Sequence, residues 1–228
     1  MDQKRRAGEI GAQILQYARN ELLVSLRFMD LALCRLKFQP SQTGTTATDG
    51  ETYYFNPRYV FHVYEEGDAV LTRAYLHAVL HCIFYHPFAD ASLDRDLWDL
   101  SCDIAVEGVI QELGVQQLET EDAAAIAYEL QALGEKYGRL TAERLYKALE
   151  PLPETERARL KRLFVRDDHE IWYAQRNTPG DEEGGDASDQ TGDAPPKSRN
   201  TSSSSGDGAD DTQGDSSARA AWQEISER

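Results

Sequence analysis

The spacing of apolar residues along the chain predicts a mostly helical body. In residues 3–38 apolar side chains recur three or four positions apart, which is the period of one face of an α-helix. The same period returns in residues 70–86, up to a proline, and in residues 93–113. Shorter helices are expected at 121–133, 141–150 and 154–172. The pattern therefore favours a helical domain without internal repeats.

One segment departs from the helical period and predicts a strand. "ETYYFNP", residues 51–57, is rich in β-forming side chains and stops at an Asn-Pro step. The stretch before it, "QPSQTGTTATDG", ends in an Asp-Gly turn signal and predicts a loop. The expected fold class is α+β, mostly helical, with a small sheet.

Composition divides the chain into a domain, a linker and a tail. Residues 177–217 contain Gly, Ser, Asp, Thr and Pro but no aromatic or large aliphatic side chain, so burial cannot offset the entropy of ordering them. We interpret them as a disordered acidic linker that carries about half of the formal net charge of −16. The domain is then 1–176, and 218–228 begins a following helix or forms a C-terminal tail.

Composition also excludes several classes of function. No basic stripe with interleaved aromatic residues is present, so nucleic acid binding is not expected. The N-terminal segment fits neither a signal peptide nor a membrane span. Cys34, Cys82 and Cys102 are odd in number and lie in apolar, helix-like segments, which predicts buried, reduced thiols. We therefore expect a cytoplasmic protein.

Two histidines on the predicted helix over residues 70–86 suggest a metal site. His77 and His81 are four residues apart, so both side chains lie on one face of a helix with room for a metal between them. Zincin peptidases use this spacing as His-Glu-x-x-His, where the Glu is the general base. Ala78 occupies the Glu position here. A methyl group cannot take a proton, so no catalytic residue is predicted.

Zinc needs at least one more protein ligand. Asp103 lies on the next helix, 22 residues after His81, and two antiparallel helices would bring its carboxylate over the histidine pair. Glu107 is one turn further along, so it could bind the metal or orient a histidine from behind. His86 could join only if the helix ends before it. The predicted ligands are His77, His81 and Asp103, with His86 and Glu107 as additional candidates.

The same residues also fit a site without metal. Two histidines at this spacing are often packed and hydrogen-bonded, and an acid pair on a helix is usually a solvated face. Asp103, however, is flanked by Cys102 and Ile104 in an apolar segment, where an unpaired carboxylate is costly. A metal or a histidine beside Asp103 would relieve that cost.

Four motifs in order resemble one known family. "TGTTATDGETYYFNPRYV", "YLHAVLHCIFYH", "LWDLSCDIAVE" and "DDHEIW" are similar to segments of the metallopeptidase domain that precedes von Willebrand factor A-like domains. The similarity covers roughly residues 10–175. It departs from the family pattern at Ala78, where the family carries its catalytic Glu, and this puts proteolysis in doubt.

The resemblance implies a zincin-like fold with an active-site helix and a small sheet whose edge strand, about Thr52–Asn56, borders the cleft. It implies zinc, held at His77, His81 and Asp103, with His86 as the additional histidine of the family. It also implies association with MoxR-type AAA ATPases and a von Willebrand factor A-like domain. We interpret His169, in the last motif, as a structural residue at a helix end.

Three hypotheses for function remain open. The first, which we favour, is a degenerate metallopeptidase-like domain that binds zinc and serves as a binding or scaffolding module with a MoxR-type ATPase system. The second is an active zinc peptidase, in which Glu107 or Asp90 replaces the missing base or Ala78 is an engineered change. The third is a metal-free interaction domain whose histidines and Asp103 form a buried hydrogen-bond network.

Overall fold

The computed structural model describes residues 2–90, 92–174 and 211–227. It is mostly helical with a small three-stranded sheet, which confirms the predicted α+β class. In chain order the elements are α1 (Asp2–Ser25), α2 (Asp30–Leu33), β1 (Lys37–Pro40), β2 (Thr46–Thr48), β3 (Thr52–Phe55), α3 (Pro57–Glu66), α4 (Asp68–Ile83), α5 (Arg95–Leu113), α6 (Ala123–Tyr137), α7 (Ala142–Leu149), α8 (Glu154–Phe164), α9 (Ile171–Ala174) and α10 (Asp211–Ser226).

The sheet has the strand order β1-β3-β2. β1 pairs with β3 in parallel, and β2 pairs with β3 in antiparallel orientation. The expectation that Thr52–Asn56 is the edge strand is therefore wrong, because β3 is the central strand. β1 and β2 were expected as helix end and loop, since their own residues carry weak strand signals. Their pairing with β3 overrides that local preference.

Helices α4 and α5 pack against each other and carry the predicted site. Nearly every residue of α4 from Leu71 to Cys82 is buried, including the polar residues Arg73, His77 and His81. Asp94 caps the start of α5, because its side chain accepts a hydrogen bond from Leu97 N (2.9 Å), and Gly114, in the left-handed conformation (φ 60°), caps its end. These caps fix where α5 begins and ends, and so the positions of Asp103 and Glu107 along the helix.

The predicted helix over 154–172 is broken in the structure. α8 stops at Phe164 and α9 begins at Ile171, so residues 165–170 form a separate connecting segment. Asp168 N donates a hydrogen bond to Thr46 O on the edge strand β2 (2.8 Å). This bond to the sheet replaces the one that a continuing helix would have made, and it brings residues 165–170 over α4 and α5.

Two apolar clusters meet at α5. The first joins α1, α4 and the sheet and includes Val106 and Ile110 of α5. The second joins α6, α7 and α8 and includes Cys102 and Ile104 of α5. α5 contributes to both apolar clusters. Its buried acids, Asp103 and Glu107, therefore lie between the two clusters. Cys34 is exposed, against our expectation, whereas the other two thiols are buried.

The C-terminal helix packs on the body of the domain. α10 begins at Asp211, before the predicted start at residue 218, and it contacts α2 and α4. The predicted linker residues 177–210 lie outside the described residues. Within the described ranges, no helix is both long and apolar enough to cross a membrane.

Candidate metal centre

Four buried side chains from three parts of the chain converge on one point. His77 and His81 come from α4, Asp103 from α5, and Asp167 from the segment between α8 and α9. Each offers one ligand atom, and these four atoms lie within 4.8 Å of one another. The structure thus brings the three predicted ligands together and adds Asp167, which sequence analysis missed.

The two carboxylates contact three imidazole rings. Asp103 Oδ1 lies 3.3 Å from His77 Nε2, 3.2 Å from His81 Nε2 and 3.3 Å from His169 Nε2. Asp167 Oδ1 lies 2.9 Å from His169 Nε2 and 3.6 Å from His77 Nε2. We call the five residues His77, His81, Asp103, Asp167 and His169 the His/Asp cluster.

Most of these polar atoms lack a well-aligned hydrogen bond. Among the side chains that the structure describes, the atoms without a hydrogen-bond partner include His81 Nε2, His169 Nε2, Asp103 Oδ2 and both Asp167 oxygens. Buried polar atoms are normally satisfied, so a group of unsatisfied ones needs an explanation. Atoms that face a common centre at short distance, without pairing well with each other, suit a shared cation. Nitrogen and oxygen donors of this kind fit zinc and other divalent transition metals.

Glu107 and Arg73 lie behind His77. Glu107 Oε1 is 2.9 Å from His77 Nδ1, and Arg73 donates to Glu107 Oε2 through Nε (3.0 Å) and Nη2. A carboxylate that accepts the Nδ1 proton of a histidine leaves its Nε2 lone pair free for a metal. Glu107 therefore sits where it can orient His77, and the structure does not place it among the ligand atoms.

His86 lies behind His81 in a similar way. The chain leaves α4 through Tyr85, in the left-handed conformation (φ 60°), and returns in a short 3-10 turn that places His86 Nδ1 2.9 Å from His81 Nδ1. Trp98 Nε1 donates to the backbone oxygen of His86 (3.3 Å). His86 thus faces the far side of the His81 ring, away from the nitrogen that meets Asp103.

Sequence analysis did not single out Asp167, and it interpreted His169 as a structural residue at a helix end, because both lie in a stretch whose pattern predicts a helix. Their motif, "DDHEIW", was recognised, but only the break after α8 turns both side chains toward α4. The Trp172 ring stacks on His169, with ring centroids 3.9 Å apart and planes 22° apart. His169 is therefore held within the cluster by an aromatic neighbour.

Burial and charge shift the pKa values of the cluster in opposite directions. Burial alone would lower the pKa of His77, but hydrogen bonds with Asp103 and Glu107 raise it to about 10. The pKa of His169 is also raised, because Asp167 and Asp103 outweigh its burial. Burial lowers the pKa of His81 and raises that of Asp103 to about 6. Protonated His77 and His169 therefore balance the carboxylates when no metal is bound.

Among the residues that the structure describes, neither Ala78 nor the two acids considered as substitute bases contributes to the group of four ligand atoms. Ala78 is fully buried in the first apolar cluster. A cavity of about 550 Å³ is lined by His77 together with Glu107 and Arg73, which pair with each other. Asp90 is exposed and accepts a hydrogen bond from Ser92 N (2.8 Å). Glu107 is thus paired with Arg73 and His77, and Asp90 lies at the surface.

The fold and the cluster define a candidate metal-binding domain of the metallopeptidase-like class. The chain belongs to the family described as a putative metallopeptidase domain, whose model matches residues 12–227. This match extends through α10, so the C-terminal helix is part of the family domain. No curated protein and no solved structure matches the chain significantly.

Proposed function

We propose that this protein is a metallopeptidase-like, zincin-like domain that binds zinc but has lost its catalytic base, and that it serves as a binding or scaffolding module. The observation that carries the proposal is the His/Asp cluster itself, with four candidate ligand atoms within 4.8 Å and Ala78 in place of the expected Glu. The binding of zinc and the loss of the catalytic base are two parts of this proposal, and a separate experiment tests each.

The number of protein donors supports a site that is not catalytic. Catalytic zinc sites keep a coordination position open, whereas structural zinc sites are closed by four protein ligands. Here His77, His81, Asp103 and Asp167 supply four donors, and all four side chains are almost completely buried. Zinc would supply Lewis-acid chemistry in an open site. In this closed site we expect it to stabilise the fold.

The surrounding residues would fix the ligands. Glu107, held by Arg73, orients His77, and His86 orients His81 from behind. Asp167 would tie residues 165–170 to α4 and α5 through the metal. A metal that binds only the folded state adds to its stability by mass action.

The partners follow from the family resemblance. We propose that the domain works in the cytoplasm with a von Willebrand factor A-like domain and a MoxR-type AAA ATPase. A closed domain with no free base suits a role in docking better than a role in cleavage. Co-purification of the untagged protein with such an ATPase, lost on removal of the metal, would be the expected result.

The metal is tested by elemental mass spectrometry of protein purified without a tag or added metal. We expect one zinc ion per chain in the parent and none in the His77→Ala/His81→Ala variant. His62→Ala is the matched control, because His62 is exposed and distant in sequence from the cluster. Its zinc content should equal that of the parent. A metal-free parent would reject the zinc proposal and favour the buried hydrogen-bond network.

The missing base is tested by the Ala78→Glu variant. Because Ala78 is fully buried among apolar side chains, a carboxylate there should lower the free energy of unfolding by several kcal/mol, roughly 2–5. We expect no cleavage of casein by either the parent or the variant. Zinc-dependent cleavage by Ala78→Glu alone would support the loss of the base at this position, but it would show an open site and contradict the closed arrangement. Cleavage by the parent would establish the active peptidase instead.

A further inference from the structure

Helix α10 docks on the helix that carries both histidines of the predicted pair. Its apolar stripe is formed by Ala218, Trp222 and Ile225, which are four and three residues apart on one face. Ala218 and Trp222 are almost completely buried against the first apolar cluster. The large buried area of an indole makes Trp222 the main anchor of α10.

Trp222 is tied to a turn of the sheet. Its Nε1 donates a hydrogen bond to Gly50 O (2.6 Å) in the connection between β2 and β3. Gly50 has φ +91°, and a Cβ at this position would lie 2.7 Å from the ring of Phe88. The backbone here thus requires glycine and has little room to move.

The same turn also holds the tryptophan of the metal centre. Trp172 Nε1 donates to Thr48 O (2.9 Å), two residues before Gly50. Thr48 Oγ1 accepts from Gly50 N (3.2 Å) and donates to Thr52 O (2.9 Å), so it closes the turn internally. One short turn, residues 48–50, therefore receives the indole N–H of both tryptophans.

Trp172 connects the turn to the His/Asp cluster. Its ring stacks on His169 and meets the His81 ring edge to face at 5.0 Å between centroids. A continuous series of contacts thus runs from the cluster through Trp172 and the turn to Trp222. Packed rings and hydrogen bonds of this kind can transmit a small displacement between two sites.

We propose that Trp222 is a positioning residue for the metal centre, and that docking of α10 and binding of metal stabilise each other through the turn at residues 48–50. This inference rests on the proposed function, since it requires the cluster to bind metal. Coupling between two sites is reciprocal in free energy. The factor by which docked α10 strengthens metal binding must therefore equal the factor by which metal strengthens docking of α10.

The first test uses Trp222→Phe in the full chain, which keeps an aromatic ring but removes the N–H donor to Gly50 O. The dissociation constant for zinc is measured on the folded protein by competition with a chromophoric chelator. We expect it to rise about tenfold in Trp222→Phe. The absorption spectrum of the Co²⁺-loaded protein should also change, because it reports the geometry at the ligands.

Two further variants separate coupling from loss of stability. Leu133→Ala truncates a buried residue of α6 in the second apolar cluster, away from the turn, and should leave the zinc affinity unchanged. Thr48→Val removes the hydroxyl that closes the turn and leaves α10 intact, so it should weaken zinc binding as Trp222→Phe does. If Trp222→Phe fails to fold, hydrogen exchange of the α10 amides in the parent decides the question, because coupling requires zinc to increase their protection.

Hydrogen exchange of the α10 amides supplies the reciprocal measurement. In the parent, zinc should increase the protection of these amides by the same factor as that between the zinc affinities of the parent and Trp222→Phe. In Trp222→Phe the increase should be smaller. A parent that binds zinc, together with unchanged zinc affinity in folded Trp222→Phe and Thr48→Val, would overturn the coupling alone. A parent that binds no zinc would overturn the proposed function and the coupling with it.

Discussion

Glu107 connects His77 of the His/Asp cluster to the buried guanidinium of Arg73. Burial would raise the pKa of this carboxyl, but hydrogen bonds from His77 and the charge of Arg73 lower it, so Glu107 is ionised at neutral pH. Arg73 also donates to Leu118 O (2.8 Å), which fixes the guanidinium in place. The orientation of His77 therefore depends on a side chain that is not itself part of the cluster.

The Glu107→Gln variant tests this dependence. The amide oxygen can still accept a hydrogen bond from His77 Nδ1–H, but the buried guanidinium of Arg73 would lose the negative charge that compensates it. We expect the free energy of unfolding to fall by about 3–5 kcal/mol and zinc affinity to fall by about 10- to 100-fold. Both are measured on the purified variant, by urea unfolding and by chelator competition.

Glu112→Gln is the matched control for this change. Glu112 lies on the same helix but is exposed, so its substitution should alter neither quantity. Equal zinc affinity in the parent and in Glu107→Gln would show that the charge of Glu107 does not contribute to metal binding, and would limit the role of that charge to pairing with Arg73.

At the scale of elements, the parts of the site that could be predicted are those that depend on helical spacing. His77 and His81 share a face of α4 because they are four residues apart, and the antiparallel packing of α5 supplies Asp103. Asp167 and His169 depend on a break after α8. That break is stabilised by the hydrogen bond from Asp168 N to the edge strand, a contact between distant segments that no local pattern reveals.

Strands β1 and β2 were not predicted, because they too depend on contacts between distant segments. β3 carries its own signal in the aromatic residues of "TYYF", whereas β1 contains Pro40 and β2 is a three-residue stretch of small side chains. Their strand conformation depends on pairing with β3. The family resemblance implied that this segment is the edge strand, and no strand was predicted on either side of it to indicate a central position.

The segment between α8 and α9 makes a prediction at this scale. In Asp167→Ala the metal would lose one donor and its link to residues 165–170. We therefore expect weaker zinc binding and no increase in amide protection of residues 165–170 when zinc is added. Hydrogen exchange with and without zinc measures this directly.

Asp168→Ala is the control for the segment. Its backbone N–H still donates to Thr46 O, and its side chain serves only to accept a hydrogen bond from Glu170 N (3.0 Å) among the contacts described for that carboxylate. Zinc-dependent protection should persist in this variant. If it also persists in Asp167→Ala, Asp167 is not a ligand and the metal does not hold the segment.

At the scale of the whole molecule, protons and a metal ion compete for the same buried side chains of the His/Asp cluster. The pKa of His77 is raised from its ordinary value of 6.5 to about 10. In the metal-free protein the folded state therefore holds a proton that the unfolded chain has largely lost at neutral pH. The resulting stabilisation is complete below about pH 6.5 and is lost as the pH rises through about 10.

Zinc must displace this proton, because a ligand nitrogen needs its lone pair. Binding should therefore release at least one proton near pH 7, and the apparent zinc affinity should rise about tenfold per pH unit for each proton released. Calorimetric titration in two buffers of different ionisation enthalpy counts these protons, and His62→Ala should release as many as the parent. Zinc binding without proton release would mean that His77 keeps its proton in the complex. The metal would then be held by His81, Asp103 and Asp167 alone, and the raised pKa of His77 would belong to a permanent ion pair with Glu107.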